Sequence, residues 1–250
     1  MNFENLLYYT KDPKNISILP LRIQSLNFLI NKKNILKNIN IDFIDNSISV
    51  IMGPNGSGKT ILLKIINGLL KPSSGEIIYK DSDLKFNQRI FQSFVFQKPV
   101  IFRSSVKENL KFIFTLKKSN YRLSLKNYLE IVGLESLINS PARKLSLGEQ
   151  QRLSVIRAFA NEPSFILFDE PTANLDPHST LVIENLILAA KKFGIKIIFV
   201  THDIFQAKRL ADEIIFMDKG EIIEISKAKN FFDKPSSSQA QKYISGEILN

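Results

Sequence analysis

The sequence predicts an α/β fold with a mainly parallel core sheet, an antiparallel β subdomain and an inserted helical subdomain. Three observations carry this reading. Short apolar runs, Ile48–Met52, Phe165–Phe168, Ile195–Val200 and Ile214–Met217, have the pattern of strands buried on both faces. Helical periods separate the later runs (Ser179–Phe193, Ile204–Ala211), the order that a parallel sheet with helices on its faces requires. Between Lys98 and Asn139 helical periodicity dominates and buried-strand runs are absent.

Taken in order, residues 1–20 lack a clear period and form a lead-in. Leu21 to Phe28 alternates (Leu21, Ile23, then Leu26, Phe28), a half-buried strand, and Ile35, Ile39, Ile41 and Phe43 repeat the pattern. The strand Ile48–Met52 runs into a Gly-rich turn and a helix over Lys59–Leu70, whose end Gly68 and Pro72 bracket. One domain over residues 21–225 is expected, with the helical insertion at about 98–150 and a tail at 226–250. Ser236–Ser238 reads as a loop. No internal repeat is visible.

Composition narrows the chemistry. A chain of 250 residues buries roughly three quarters of its unfolded surface and folds without disulfides. With no Cys and two His, thiol nucleophiles, iron–sulfur clusters and the usual zinc sites are excluded. No apolar run reaches the ~18 residues of a membrane-spanning helix, and Met1–Thr10 has no basic start followed by an apolar block. The net charge of +10 points to an anionic partner, yet the charges are dispersed in a Lys-, Asn- and Ile-rich chain, with pairs such as Lys32-Lys33 rather than basic arms.

The segment Gly53-Pro54-Asn55-Gly56-Ser57-Gly58-Lys59-Thr60 has the spacing of a phosphate-binding loop. Its glycines let successive backbone amides converge on phosphate oxygens, and the following helix adds its N-terminal dipole. Lys59 reaches the β- and γ-phosphates and Thr60 offers a hydroxyl to Mg²⁺; Ile61 stands where a second hydroxyl residue is common. The run Phe165–Phe168 ends in Asp169 and Glu170, at the strand edge where parallel α/β sheets bind ligands. There Asp169 would hold Mg²⁺ through water and Glu170 would polarise an attacking water. Ser146-Leu147-Gly148-Glu149 reads as a capping box opening a helix.

With these residues in hand the chain resembles the ATP-binding cassette (ABC) ATPases, P-loop NTPases that power ABC transporters. The resemblance spans about residues 21–225 and rests on six elements in the family's order: the loop 53–60, Gln97 after Phe94-Val95-Phe96, Leu145–Gln150 as the signature, Asp169-Glu170, Ala173–Asp176, and Thr201-His202-Asp203. It implies two cassettes closing head to tail around two ATP molecules, each site using the loop of one subunit and the signature of the other. On this reading Ser146, Gly148 and Glu149 contact nucleotide across the interface, and Asp176 helps form that interface. Gln97 links Mg²⁺ and water to the helical subdomain, and His202 contacts the γ-phosphate and helps orient water. His178 is assigned to the surface.

Two departures from the family pattern bear on function. Leu147 replaces a small signature residue and is expected to turn away and pack on its own subunit. Ile30 aligns with the aromatic that often stacks on adenine, and strand alternation places Phe28 on the same face. The resemblance implies an importer at the inner, cytoplasmic membrane face. Its partners would be a separate permease, a second copy of the ATPase and, indirectly, a periplasmic binding protein. Residues 98–110 resemble importers of the tungstate and phosphate type, so a tungstate, molybdate or phosphate cargo is expected. An exporter or lipid-extraction ATPase stays open as an alternative, and a nucleic-acid or ribosome ATPase as a further one.

Overall fold

A computed structural model of the chain describes residues 21–43, 47–79, 92–117 and 124–247. The lead-in over residues 1–20 and positions 248–250 of the tail lie outside these. The strands are β1 (Leu21–Ile30), β2 (Lys33–Phe43), β3 (Ile48–Met52), β4 (Ser74–Ile78), β5 (Gln92–Val95), β6 (Phe165–Asp169), β7 (Lys196–Val200), β8 (Glu213–Asp218) and β9 (Glu221–Lys227). The helices are α1 (Lys59–Ile66), α2 (Val106–Lys117), α3 (Leu125–Ile131), α4 (Leu147–Ala160), α5 (Pro177–Lys192), α6 (Ile204–Leu210), α7 (Ala228–Asp233) and α8 (Ser238–Ser245).

Among the described residues, one sheet has the order β5-β6-β7-β3-β8-β9 and a second the order β2-β1-β4. In the first, pairs from β5 to β8 are parallel and β8–β9 is antiparallel; in the second, both pairs are antiparallel. The apolar runs explain the layering. In β3, β6 and β7 successive side chains point to opposite faces. Val50, Ile166, Phe168, Ile197 and Phe199 join one core with α4 and α5, while Ile51, Phe165, Leu167, Ile198 and Val200 join another with α1 and the antiparallel sheet. All ten are fully buried. Each contributes about 1.5–3 kcal/mol of transfer free energy; the buried polar residues Ser49 of β3 and Lys196 of β7 are hydrogen-bonded to each other.

The antiparallel sheet departs from simple alternation. The step from Ile23 to Leu26 in the apolar pattern is a register shift, with Ser25 at φ 47°. Another shift, between Phe28 and Leu29, separates two residues expected on one face. Phe28 packs on the core beneath the sheet, whereas Ile30 stays 43% exposed. In β2 the buried residue is Leu36 rather than Ile35. Helix α1 stops at Ile66, short of Leu70, because the Leu69 amide turns back onto the Lys64 carbonyl (2.8 Å).

The helical insertion comprises α2, α3, two short 3₁₀ turns (Glu135–Leu137, Ala142–Lys144) and the start of α4. Residues 226–247, read as a tail, extend β9 and add α7 and α8, whose Phe231 and Ala240 are fully buried in the main core. Ser238 opens α8 instead of lying in a loop.

Candidate functional site

The phosphate-loop residues Gly53–Thr60 connect β3 to α1 at the carboxyl edge of the parallel sheet. Lys59 folds back over this loop, its Nζ donating to the carbonyls of Gly53 (2.8 Å) and Pro54 (2.9 Å). Burial lowers its pKa, and the charges of Glu170 and Asp169 oppose that shift. The Ser57 hydroxyl is buried inside the loop without a hydrogen-bond partner. An unpaired buried hydroxyl is costly, and a phosphate oxygen is the acceptor it lacks.

β6 delivers the two carboxylates. Asp169 is 5% exposed and accepts from the Thr60 hydroxyl (2.8 Å). Burial raises its pKa above the ordinary 3.8, the Thr60 hydrogen bond opposes this, and the Glu170 charge adds to it. Glu170 begins the turn beyond the strand in the left-handed region, φ 46°, with its amide donating to Val200 of β7 (3.1 Å). A non-glycine residue held there stores strain, which directs the carboxylate out of the sheet edge. Glu170 Oε2 meets Gln97 Nε2 at 3.3 Å and His202 Nδ1 at 3.1 Å. His202 is set by the turn between β7 and α6, where the Thr201 hydroxyl accepts the Asp203 amide and Asp203 caps α6 through the amides of Phe205 and Gln206. Gln97 is set by α4, since Gln151 Nε2 donates to the Phe96 carbonyl (2.9 Å).

Together Asn55, Gly56, Gly58, Lys59, Thr60, Gln97, Glu170 and His202 line a cleft of about 570 Å³. Ile30 and Ile35 supply its apolar wall, an aliphatic platform where the family pattern has a ring. The donor set of Thr60, Asp169 and Gln97 is all hard oxygen. Among the described residues no three His, Cys, Asp or Glu cluster as a metal cage. Oxygen donors such as Thr60 and Asp169 are of the kind Mg²⁺ takes, since it keeps several waters and uses few carboxylates.

Ser146, Gly148, Glu149 and Asp176 do not line this cleft. Ser146 and Glu149 close the expected capping box: the Ser146 amide donates to Glu149 Oε2 (2.8 Å), and the Glu149 amide to the Ser146 hydroxyl (3.3 Å). Leu147 is 47% exposed instead of packed on its own subunit. Asp176 caps α5, accepting from the Ser179 amide (2.8 Å) and hydroxyl (2.7 Å), which lower its pKa. Gly148 packs on this cap: a Cβ there would lie 2.4 Å from Ser179 Oγ and 2.6 Å from Asp176 Oδ2. His178 is exposed.

Several supporting residues carry no motif. Arg152 of α4 contacts the Ser179 hydroxyl and donates from Nε to the Val132 carbonyl (2.9 Å). Gln206 and Thr172 are hydrogen-bonded, Gln206 also donates to Glu184 (2.9 Å), and Arg209 pairs with Glu184 (2.7 Å). That chain ties the turn after Glu170 to the helix after His202. The available signal was polar residues on the otherwise apolar stripes of α4 and α5.

Known proteins resemble this chain along most of its length. The profile described as "ABC transporter" matches residues 36–173. The phosphate import ATP-binding protein PstB of Mycoplasma capricolum is 37% identical, over 98% of this chain and 99% of that one. The arginine transport ATP-binding protein ArtM of Bacillus subtilis is 32% identical, over 90% of this chain and 98% of that one. Among solved structures, a dimeric ATP-binding cassette in a post-hydrolysis state with ADP and Pi superposes with a TM-score of 0.71 at 28% identity, covering 83% of this chain and 98% of that one. With the profile spanning more than half the chain and a relative spanning nearly all of it, the chain belongs to the ABC transporter family, as its ATP-binding, ATP-hydrolysing subunit.

Proposed function

We propose that this importer subunit hydrolyses Mg²⁺-ATP to drive uptake of phosphate. The observation that carries the chemistry is the convergence of Gln97 and His202 on Glu170 at the rim of the phosphate-loop cleft. Lys59 exchanges its two loop carbonyls for phosphate oxygens, and the amides from Asn55 to Thr60 surround them. Mg²⁺, when bound, neutralises charge on the phosphates. Thr60, Asp169 and Gln97 would hold it. Glu170 takes the proton of the attacking water, and His202 orients that carboxylate and reaches toward the γ-phosphate.

The cleft lacks the signature residues of its own chain, so a second copy supplies them. Ser146 and Gly148 open α4, a helix N-terminus fit for a γ-phosphate across the interface, with Asp176 beside them. Glu149 supports that edge through the capping box. The separate permease docks on the helical insertion, where Val100 is 54% exposed and Arg103, Arg143 and Lys144 line a groove. Docked on that permease, the subunit sits peripherally on the cytoplasmic face; no helix of the described residues is long and apolar enough to cross a membrane. A periplasmic binding protein takes part only through the permease.

Of the expected oxyanions, phosphate is the one named by the PstB relative, and tungstate and molybdate lose their place as leading cargoes. The experiment is uptake of labelled phosphate, tungstate, molybdate and arginine in cells carrying the wild-type gene, a deletion, or Lys59→Ala. Phosphate uptake alone is expected to fall in the last two. Normal phosphate uptake in the deletion rejects the cargo.

A further inference from the structure

The turn that follows β6 is strained at two points. Glu170 has φ 46° and Asn174 φ 60°, left-handed values in residues that carry a side chain. Glu170 also precedes Pro171, whose ring favours extended backbone at the residue before it. Backbone of this kind persists only where the surroundings over-determine it. The Glu170 amide is tied to Val200 (3.1 Å), but the bonds within the turn are local. They run from the Ala173 amide to the Glu170 carbonyl (3.2 Å) and from the Leu175 amide to the Thr172 carbonyl (3.2 Å), at the long end of the ordinary range.

Thr172 brings in a restraint from outside. Its hydroxyl donates to Gln206 Oε1 (3.1 Å) and accepts from Gln206 Nε2 (3.0 Å). Gln206 lies on α6, four residues after His202, and is 2% exposed. The same Nε2 donates to Glu184 Oε1 on α5 (2.9 Å). Glu184 is 6% exposed, and Arg209, one turn further along α6, donates to both of its oxygens, from Nε (3.1 Å) and from Nη2 (2.7 Å). The guanidinium fork fixes the carboxylate, the carboxylate fixes the amide, and the amide fixes the hydroxyl. Glu170, Thr172, His202 and Gln206 border one small cavity of about 160 Å³, so the held hydroxyl and the reacting carboxylate face the same space. Packing α6 on α5 needs no polar group, since an apolar pair is buried at lower cost. What a hydroxyl, an amide and a carboxylate in series add is direction.

We propose that Thr172 and Gln206 are positioning residues for ATP hydrolysis, anchored by Glu184 and Arg209: their network holds the turn after β6 in the strained conformation that aims the Glu170 carboxylate between Gln97 and His202. The inference rests on reading Glu170 as the group that takes the proton of the attacking water. It also makes the turn and α6 one piece, which keeps Glu170 in contact with His202 (3.1 Å).

The test compares the permease-assembled wild type, Thr172→Val and Thr172→Ser by single-turnover ATP hydrolysis, KM for ATP and melting temperature. Valine keeps the shape and removes the hydroxyl, whereas serine keeps the hydroxyl. The expected result is a chemical step slowed about threefold to tenfold in Thr172→Val, the scale of one neutral hydrogen bond, with KM unchanged. Thr172→Ser should match wild type. A merely structural role would lower the melting temperature of Thr172→Val and leave the chemical step alone, and that result overturns the proposal. A serine variant as slow as the valine one overturns it too. Adding Thr172→Val to Glu170→Gln should cost nothing further, because the effect passes through the Glu170 carboxylate; losses that multiply refute that route. Gln206→Leu, which cuts the same link from α6, is expected to slow the step in the same way and serves if Thr172→Val does not fold. A wild-type rate in Glu170→Gln alone refutes the proton-acceptor reading, a result distinct from a wild-type rate in Thr172→Val beside an impaired Glu170→Gln.

Discussion

Replacing Gly148 by alanine should destabilise the chain on its own, before any partner or nucleotide is present. The added methyl would stand 2.4 Å from Ser179 Oγ and 2.6 Å from Asp176 Oδ2, distances that force at least one of them aside. Those atoms form the cap of α5, and Ser179 also contacts Arg152. Losing a helix cap costs about 1 kcal/mol. The displaced Ser179 hydroxyl bonds add about 2 kcal/mol more. Alanine for glycine near a helix start returns about 1 kcal/mol at most. The net expectation is about 2 kcal/mol of destabilisation, which for a chain of 250 residues lowers the melting temperature by about 4–8 °C. Thermal melts of Gly148→Ala, Ser179→Ala and the double variant form a cycle, and the double variant should lose less than the sum because the clash is relieved. An alanine variant as stable as wild type, with losses that simply add, would refute the steric reasoning and leave Gly148 a purely interfacial requirement.

Other expectations follow from the same geometry. Lys59→Ala should weaken ATP binding about 10- to 100-fold in a chain that still folds, because a charged donor is removed; unchanged affinity by calorimetry would count against the phosphate-loop assignment. Because Leu147 is exposed and not packed on its own subunit, Leu147→Gly removes no core contact and should change turnover of the permease-assembled enzyme less than about tenfold, or ~1.4 kcal/mol, while Ser146→Ala, which opens the capping box, should cost more. A hundredfold gain from Leu147→Gly would mean that the native site is impaired. The Asp176 carboxyl is held below its ordinary 3.8 by Ser179, so the stability it adds is present above the unfolded value and lost as pH falls through the lowered folded one. Melts on the acid side should show that loss in wild type and not in Asp176→Asn.

What could be read from sequence follows physical rules. β3, β6 and β7 are buried on both faces, so each is a mostly apolar run, with only Ser49, Asp169 and Lys196 polar, that is recognisable from its own residues. The site residues sit on loops at the ends of those strands, where fixed spacing is itself the signal. The antiparallel sheet was only half legible, because its register shifts break the alternation at Ser25 and again after Phe28. β9 and α8 carry mixed polar and apolar faces, and nothing local distinguishes them from a tail. The reason for Gly148 lies in Ser179, distant in sequence. Contacts of that kind have no spacing to read.

The central claim is that Glu170, held by Gln97 and His202 at the cleft rim, takes the proton of the attacking water. Single-turnover ATP hydrolysis by the permease-assembled wild type and Glu170→Gln measures it directly. The account predicts that the variant keeps wild-type ATP affinity and loses about 10²–10⁴-fold in the chemical step, accumulating as a closed ATP-bound pair. A Glu170→Gln enzyme that hydrolyses ATP at the wild-type rate would contradict it.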